Sequence, residues 1–431
     1  MPYQHDVING FHIATAEMPH MESVSAGFFL PVGSRHERGA LNGIAHFAEH
    51  MIFKGTPTRD ALDLALQIEG VGGAINAFTT EDQTCLETRG PAELLPQFLE
   101  VMSDMLWHST CPADEVERER DVIAEEIVMY QETPGDHLHD LLSESIWTNH
   151  TLGKHITGTE ASILGIRSED ILKFMQESYR AEGVTLAVAG NIKHVEVCEL
   201  ARKFLPQENT PALPFTSFLH NAISASHIHD QRDIEQTHLA LAFHTEGRHS
   251  EQRHILRMLS LLMGETMCSR LFQELREKRG LCYHIASDFS LYDDTGTFEI
   301  HAGLDAGRLT ESIAAIREII TDICTSGFTE AELSQAKAYA SGQSRIALET
   351  PQAQMSWMGD SIVSFGKIID PKEARETLES TTLEELLTLS KALFLPENIA
   401  SASIGPQTTE SISLELSKLF AAPTPETALN S

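Results

Sequence analysis

Residues 41–55 have the sequence LNGIAHFAEHMIFKG, and the rest of the chain can be interpreted around this stretch. Its pattern predicts a short helix that begins at an Asn42 N-cap. On a helix, positions i, i+3 and i+4 share one face, so His46, Glu49 and His50 project together. Two imidazoles at this spacing can hold one divalent metal ion, and a neighbouring carboxylate can act as a general base.

A third protein ligand is needed for a catalytic zinc site, because such sites combine three side chains with one open position. Two histidines four residues apart are often only polar groups on a helix surface, so the motif alone is weak evidence for a metal site. A charge-rich segment with the sequence ERERDVIAEE follows at residues 117–126. Glu125 and Glu126 at its end are competing candidates for the third ligand, and a solvated acidic helix face is the alternative interpretation.

The HFAEH and ERERDVIAEE motifs together resemble those of the M16 (inverzincin, H-x-x-E-H) zinc metallopeptidases, in particular the short two-domain bacterial relatives of mitochondrial processing peptidase. The resemblance implies that His46, His50 and Glu126 are metal ligands, since Glu126 has the family's spacing from the second histidine. It also implies that Glu49 is the catalytic base. Glu119, two helical turns before Glu126, matches the acid that supports the ligands in this family.

Another part of the resemblance is the strand-like sequence AINAFTT at residues 74–80, which follows two glycines. In the M16 family the matching strand lies at the sheet edge beside the metal and binds substrate as an added strand. This mode suits a peptidase, because main-chain hydrogen bonds recognise extended backbone rather than one side chain. The resemblance implies that Asn76, Ala77 and Phe78 contact substrate; the alternative is an ordinary edge strand.

The second half of the chain contains LREKRGLCY at residues 275–283. This segment resembles the one that supplies an arginine and a tyrosine to the active site of M16 peptidases. Arg276 and Tyr283 have the family's spacing, and Cys282 stands where relatives usually carry glycine or alanine. A guanidinium and a phenol hydroxyl suit stabilisation of an oxyanion, so the resemblance implies catalytic roles for both. The alternative is a core tyrosine and a surface ion-pair arginine.

Composition restricts the classes of partner. The chain has 431 residues and a formal net charge of −32 at pH 7. This acidic balance argues against nucleic acid and anionic membranes as partners. It would attract cationic peptides if the charge lined the cleft, but a generally acidic surface explains it equally well.

The compartment is predicted from the N-terminus and the cysteines. No apolar run is long enough to span a bilayer, and no basic and apolar leader precedes the first predicted strand. Six scattered cysteines without a CxxC pair predict reduced thiols rather than disulfides or a zinc–thiolate site. The sequence therefore predicts a cytoplasmic protein.

A proline-rich linker divides the chain nearly in half, and both halves predict a strand, helices, a strand hairpin, further helices and a last strand. We therefore predict an α+β fold of two similar domains, each a mostly antiparallel sheet packed with helices, as in the duplicated processing peptidases. The predicted ranges are 1–205 for the metal-binding domain, 206–224 for the linker, 225–420 for the second domain and 421–431 for a disordered tail.

The predicted function is that of a zinc-dependent endopeptidase with one Zn²⁺ per chain, acting on peptides or unfolded polypeptides in an enclosed cleft. Manganese or cobalt could replace zinc in such a site. The chain has half the domains of the long M16 relatives, so the resemblance implies a homodimer in which each second domain completes the partner's active site. Two alternatives stay open: a non-catalytic subunit that binds peptide or scaffolds an assembly, and an enzyme that requires a different partner chain.

Overall fold

Two β-sheets organise the chain in this computed structural model, which describes residues 3–180, 182–219 and 226–419. The strands in chain order are β1 (Tyr3–Ile8), β2 (Phe11–Glu17), β3 (Ser23–Leu30), β4 (Ala74–Thr79), β5 (Thr84–Pro91), β6 (Thr185–Gly190), β7 (Ser226–Gln231), β8 (Gln236–Thr245), β9 (Cys282–Leu291), β10 (Gly296–Asp305) and β11 (Ile399–Gly405).

Helices account for most of the remaining described residues. The α-helices are α1 (Ile44–Met51), α2 (Ala61–Ile68), α3 (Leu95–His108), α4 (Ala113–Glu132), α5 (Pro134–Ile146), α6 (Glu160–Ile163), α7 (Ser168–Ser178), α8 (His194–Phe204), α9 (Arg253–Ser260), α10 (Leu309–Ser326), α11 (Glu330–Ile346), α12 (Pro351–Phe365), α13 (Pro371–Glu379), α14 (Leu383–Leu393) and α15 (Thr409–Ser417). Two π-helical segments, Leu261–Glu265 and Phe272–Lys278, follow α9. Within the described residues, none of the helices combines the length and the apolar character that crossing a bilayer requires.

The two sheets repeat one topology. The first has the strand order β1-β2-β6-β3-β5-β4, and the second has the order β7-β11-β8-β10-β9. In each sheet one parallel pair (β2 with β6, β7 with β11) is followed by three antiparallel pairs. Once β1 is set aside, the strands of the two sheets correspond one to one in chain order. The predicted α+β fold with two similar, mostly antiparallel sheets is confirmed.

Each compact unit contains one helix from the other half of the sequence, and we call this the exchange of α5 and α12. Unit 1 contains residues 1–130, 150–216 and 342–374, and unit 2 contains residues 131–149, 217–341 and 375–431. Helix α12 packs on β2, β3 and β6, whereas α5 packs on the corresponding strands β7, β8 and β11. The predicted domain ranges follow the linker and assign these two helices by sequence order rather than by packing. Those ranges stay a prediction.

Helix α12 is needed in unit 1 because both faces of the first sheet are apolar and must be packed. On the first sheet, α12 faces small side chains, namely Ala14, Ala16, Ala187 and Ala189. Its Gly359 is required there, since a Cβ atom would lie 2.3 Å from the ring of Phe29. The core on the other face includes Phe28, Phe47, Phe98 and Trp107. Both faces are thus buried, which explains why every residue of β6 is buried and its sequence is not alternating.

Part of the predicted linker packs within unit 1. The ring centroid of Phe215 lies 3.9 Å from the guanidinium carbon of Arg35. The backbone N–H of Thr210 donates to the carbonyl of Arg180, and its carbonyl accepts from the N–H of Glu182. Residues 220–224 of the predicted linker and the predicted disordered tail at 421–431 lie outside the described residues.

Candidate metal centre

Helix α1 carries the candidate ligands, and its start differs from the prediction. Asn42 is not the N-cap; Gly43 takes that position with a φ of 91°. The N–H groups of Gly43 and Ala45 donate to the carboxylate of Glu37 at 2.9 and 3.0 Å, and Asn42 Nδ2 donates to it at 3.0 Å. Burial raises the pKa of Glu37 to about 7 against the opposing effect of these bonds. The cap was missed because its acceptor is supplied from upstream of the helix rather than by the residue that precedes it.

Helices α1 and α4 bring His46, His50 and Glu126 together. Oε2 of Glu126 lies 3.6 Å from Nε2 of His46 and 3.6 Å from Nε2 of His50. The three ligand atoms all lie within 4.8 Å of one another. These separations suit one ion bound by each atom at about 2.0–2.2 Å. Glu125, the competing candidate, is exposed and is not part of this group.

Glu119 orients one of the candidate ligands. Its Oε2 lies 2.9 Å from Nδ1 of His50, and its Oε1 lies 2.5 Å from Nζ of Lys54. Because Nδ1 of His50 is used in this contact, Nε2 is left to face Glu126. Metal-binding histidines commonly have such a partner on the other ring nitrogen, and two imidazoles with a carboxylate are a donor set that suits Zn²⁺. The residues present therefore fit a zinc ion.

Burial and neighbouring charges set the protonation states of the ligand groups. Burial, followed by the neighbouring His50, lowers the pKa of His46 to about 4, so its ring is neutral near pH 7. Burial also lowers the pKa of His50, but hydrogen bonds with Glu126 and Glu119 outweigh this effect and the net shift is upward. The contact with His50 lowers the pKa of Glu126. An ionised carboxylate beside a neutral imidazole favours a cation between them.

Glu49 lies on the same helix but forms a different contact. The hydroxyl of Thr79, at the end of β4, donates to Oε2 of Glu49 at 2.6 Å. Burial raises the pKa of Glu49, and the Thr79 hydrogen bond opposes the shift. A carboxylate with a raised pKa suits a general base, because its pKa moves towards neutrality. The role of Thr79 had no signal in the sequence, since the two residues are 30 positions apart.

Strand β4 forms one edge of the first sheet. Within the described residues it pairs with β5 alone, so one side of its backbone is available for another strand. Asn76 is exposed on this strand, and Ala77 and Phe78 are partly buried. Thr79 ends the strand at the contact with Glu49. An extended peptide added to this edge would therefore run beside the candidate base.

Arg276 and Tyr283 lie in unit 2, in the π-helical segment Phe272–Lys278 and at the start of β9. The guanidinium carbon of Arg276 lies 4.7 Å from the ring centroid of Phe272 and 5.5 Å from that of Tyr283. Tyr283 is 77% exposed within the described residues. The alternative of a core tyrosine is therefore wrong, whereas the catalytic roles of the pair stay a prediction.

Family models and curated relatives both match this chain. The family model "Insulinase (Peptidase family M16)" matches residues 12–160, and the model "Peptidase M16 inactive domain" matches residues 165–339. The uncharacterized zinc protease YmxG of Bacillus subtilis (strain 168) is 34% identical over 398 residues, which are 92% of this chain and 97% of that protein. An uncharacterized zinc protease of Mycobacterium leprae is 32% identical over 403 residues, 92% of this chain and 90% of that protein.

Solved structures show the same fold. A protease from Helicobacter pylori matches with a TM-score of 0.87 at 22% identity, covering 94% of this chain and 99% of that one. An M16 inactive domain from Pseudomonas fluorescens matches with a TM-score of 0.87 at 19% identity, covering 95% and 98%.

The fold and the relatives named as zinc proteases make this a zinc-protease-like chain, and the two-histidine, one-carboxylate group is consistent with that class. With two M16 models matching in succession and relatives above 30% identity along nearly their whole length, the chain belongs to peptidase family M16. The family predicted from the motifs is confirmed.

Proposed function

We propose that this chain is a zinc-dependent endopeptidase that hydrolyses peptides or unfolded polypeptides. The observation that carries the proposal is one side-chain arrangement. His46, His50 and Glu126 converge, and the neighbouring Glu49 is hydrogen-bonded to the end of the edge strand β4. Metal ligands, a base and a strand-binding edge thus meet in unit 1.

His46, His50 and Glu126 would hold the ion, with Glu119 orienting His50. When bound, zinc supplies Lewis acidity and lowers the pKa of a water molecule. Manganese or cobalt could bind to the same three residues, so the identity of the metal is a separate measurement.

Glu49 acts as the general base in this proposal. Its partly buried carboxylate takes a proton from the attacking water and returns the proton to the leaving amine. The hydrogen bond from Thr79 holds this carboxylate beside the strand that receives substrate. Asn76, Ala77 and Phe78 would bind the substrate backbone by strand addition.

Arg276 and Tyr283 would stabilise the oxyanion of the tetrahedral intermediate. Their position on the surface of unit 2, with Tyr283 largely exposed, supports a role outside the core of that unit. We propose that the chain forms a homodimer in which this pair completes the site of the partner. All six cysteines are unpaired, which agrees with a reducing compartment, and the cytoplasmic location stays a prediction.

The test is cleavage of a quenched fluorescent peptide library by the purified full chain, with chelator and then with added zinc. We expect endoproteolysis that chelator abolishes and zinc restores. Cleavage that persists after the metal has been removed, as measured by elemental analysis, would overturn the proposal. A chain that binds zinc but cleaves nothing would favour the non-catalytic scaffold or an enzyme that requires a different partner chain.

A further inference from the structure

A second group of metal-binding side chains lies at the other edge of the first sheet. Asp6 is on the edge strand β1, and His194 and Cys198 are on α8. The two helical residues share one face because they are four positions apart. The candidate peptidase site borders β4, whereas this group borders β1, which is the opposite end of the strand order.

The three ligand atoms form a small triangle. Nε2 of His194 lies 3.1 Å from Oδ2 of Asp6 and 3.5 Å from Sγ of Cys198, and Sγ lies 3.7 Å from Oδ2. A tetrahedral zinc ion with bonds of about 2.0 Å to nitrogen and oxygen and about 2.3 Å to sulfur needs ligand separations of about 3.3–3.5 Å. The observed triangle matches these separations to within a few tenths of an ångström.

The same contacts argue against a Cys–His–Asp nucleophile. In such a triad the thiol and the carboxylate lie at opposite nitrogens of the imidazole. Here both face Nε2 of His194, and Nδ1 lies 2.8 Å from the hydroxyl of Thr15. One proton on Nε2 can serve only one of the two neighbours, whereas a single cation can be bound by all three groups.

The imidazole of His194 is held by a neighbouring side chain, as the rings of metal-binding histidines are. Thr15 on β2 is fully buried and fixes the orientation of His194, as partners of metal-binding histidines do. Cys198 is 3% exposed, and the side chain of His194 is 11% exposed. The side chain of Asp6 is 58% exposed, which leaves a path for an ion and room for a solvent ligand.

We propose that Asp6, His194 and Cys198 form a second zinc site that joins the edge strand β1 to α8, with solvent as the fourth ligand. Binding releases the thiol proton of Cys198 to solvent. This ion would add to the one per chain of the candidate peptidase site, and its role would be structural. The sequence predicted no zinc–thiolate site because Cys198 has no cysteine neighbour; Asp6 is 188 positions away from His194.

The test is a Co²⁺ titration of the full chain after metal removal, followed by absorption spectroscopy. Thiolate-bound Co²⁺ gives a charge-transfer band in the near ultraviolet, and the peptidase site contains no cysteine. We expect this band to reach one equivalent per chain in wild type and in Cys268→Ser, an exposed-cysteine control. The band should be lost in Cys198→Ser. No band in wild type, or an equal band in Cys198→Ser, would overturn the proposal.

Two further variants keep the test informative if Cys198→Ser folds poorly. Asp6→Asn changes an exposed side chain and should lower the Co²⁺ affinity that is measured from this band. Thr15→Val should lower the Co²⁺ affinity by about 10–100-fold, because metal ligands elsewhere lose affinity to this extent when their hydrogen-bond partner is removed. Wild-type affinity in Asp6→Asn would exclude the three-ligand site. Peptide cleavage is not used as a readout, so this proposal can fail independently of the proposed function.

Discussion

The two units have the same five-strand topology, but only unit 1 has candidate metal ligands on the helix that follows its second corresponding strand, as far as the described residues show. In unit 1 that helix is α1, with His46, Glu49 and His50 on one face. In unit 2 it is α9, whose buried residues are the apolar or small Ile255, Leu256, Met258, Leu259 and Ser260. The shared topology therefore does not determine function; the two units differ in a few side chains on one helix.

The charged side chains of the candidate site in unit 1 can also be compared with the ion pairs around Arg270 in unit 2. The candidate site of unit 1 holds His46, His50 and Glu126 close together, and the neighbouring Glu49 is partly buried with a raised pKa. In unit 2, Arg270 instead forms hydrogen bonds with Glu332 at 2.7 and 3.0 Å and with Asp322 at 2.9 Å. The raised pKa of Glu49 is typical of a functional group, whereas the charges of Arg270 and Glu332 are paired.

The largest expected effect concerns Glu49, the candidate base in unit 1. Glu49→Gln keeps the size of the side chain and the Thr79 contact but removes the proton acceptor. We expect peptide cleavage to fall by roughly 10²–10⁴-fold, with zinc content unchanged. Glu125→Gln, on the exposed side of α4, is the matched control and should retain activity. A Glu49→Gln protein that cleaves at the wild-type rate would remove Glu49 from the mechanism.

The second prediction asks whether unit 2 of one chain completes unit 1 of another. Glu49→Gln and Tyr283→Phe proteins should each be nearly inactive alone. In an equal mixture of exchanging dimers, half are mixed and each mixed dimer has one intact site, so about a quarter of wild-type activity should appear. No recovery, with mixed dimers shown by mass spectrometry, would mean that Arg276 and Tyr283 do not act across chains.

The third prediction tests the exchanged helix α12. Gly359→Ala places a methyl group against the ring of Phe29, so we expect a loss of about 1–3 kcal/mol in the free energy of unfolding. Gly342→Ala in α11 is the control, because nothing lies within 4 Å of its added methyl group. That change should stabilise by about 0.5–1 kcal/mol. Chemical denaturation of both variants measures the difference, and equal effects would contradict the close packing of α12.

The smallest expected effect is a pH dependence in unit 2. The hydrogen bond with Arg270 lowers the pKa of Glu332 to about 2, from an ordinary value of 4.5. A lowered pKa contributes stability above pH 4.5 that is lost as the pH falls towards 2. Glu332→Gln should therefore cost about 1 kcal/mol near neutral pH, and the difference from wild type should shrink across this range.

Denaturation curves at several pH values measure this difference. Glu330→Gln is the control, since Glu330 is exposed on the same helix. A difference between wild type and Glu332→Gln that is constant from pH 6 to pH 3 would show that the ion pair contributes nothing.

Local spacing was enough to predict the face that joins His46, Glu49 and His50, because helical periodicity places residues three and four apart side by side. The family pattern then pointed to Glu126, which lies with those histidines in the structure. The repeat of strands and helices in the two halves likewise predicted two similar sheets, since alternation and turn residues are local signals.

Contacts between distant segments could not be predicted in this way. The Glu37 carboxylate at the start of α1, the Thr79 hydrogen bond to Glu49, the exchange of α5 and α12, and the Asp6–His194–Cys198 group all depend on packing. Within these groups only His194 and Cys198 have a helical spacing. Thr79 and Asp6 meet their partners only when the first sheet forms, and Glu37 lies outside the helix whose start it caps. The sequence determined which side chains could do chemistry along each helix, and the tertiary structure decided which distant groups support, cap and surround them.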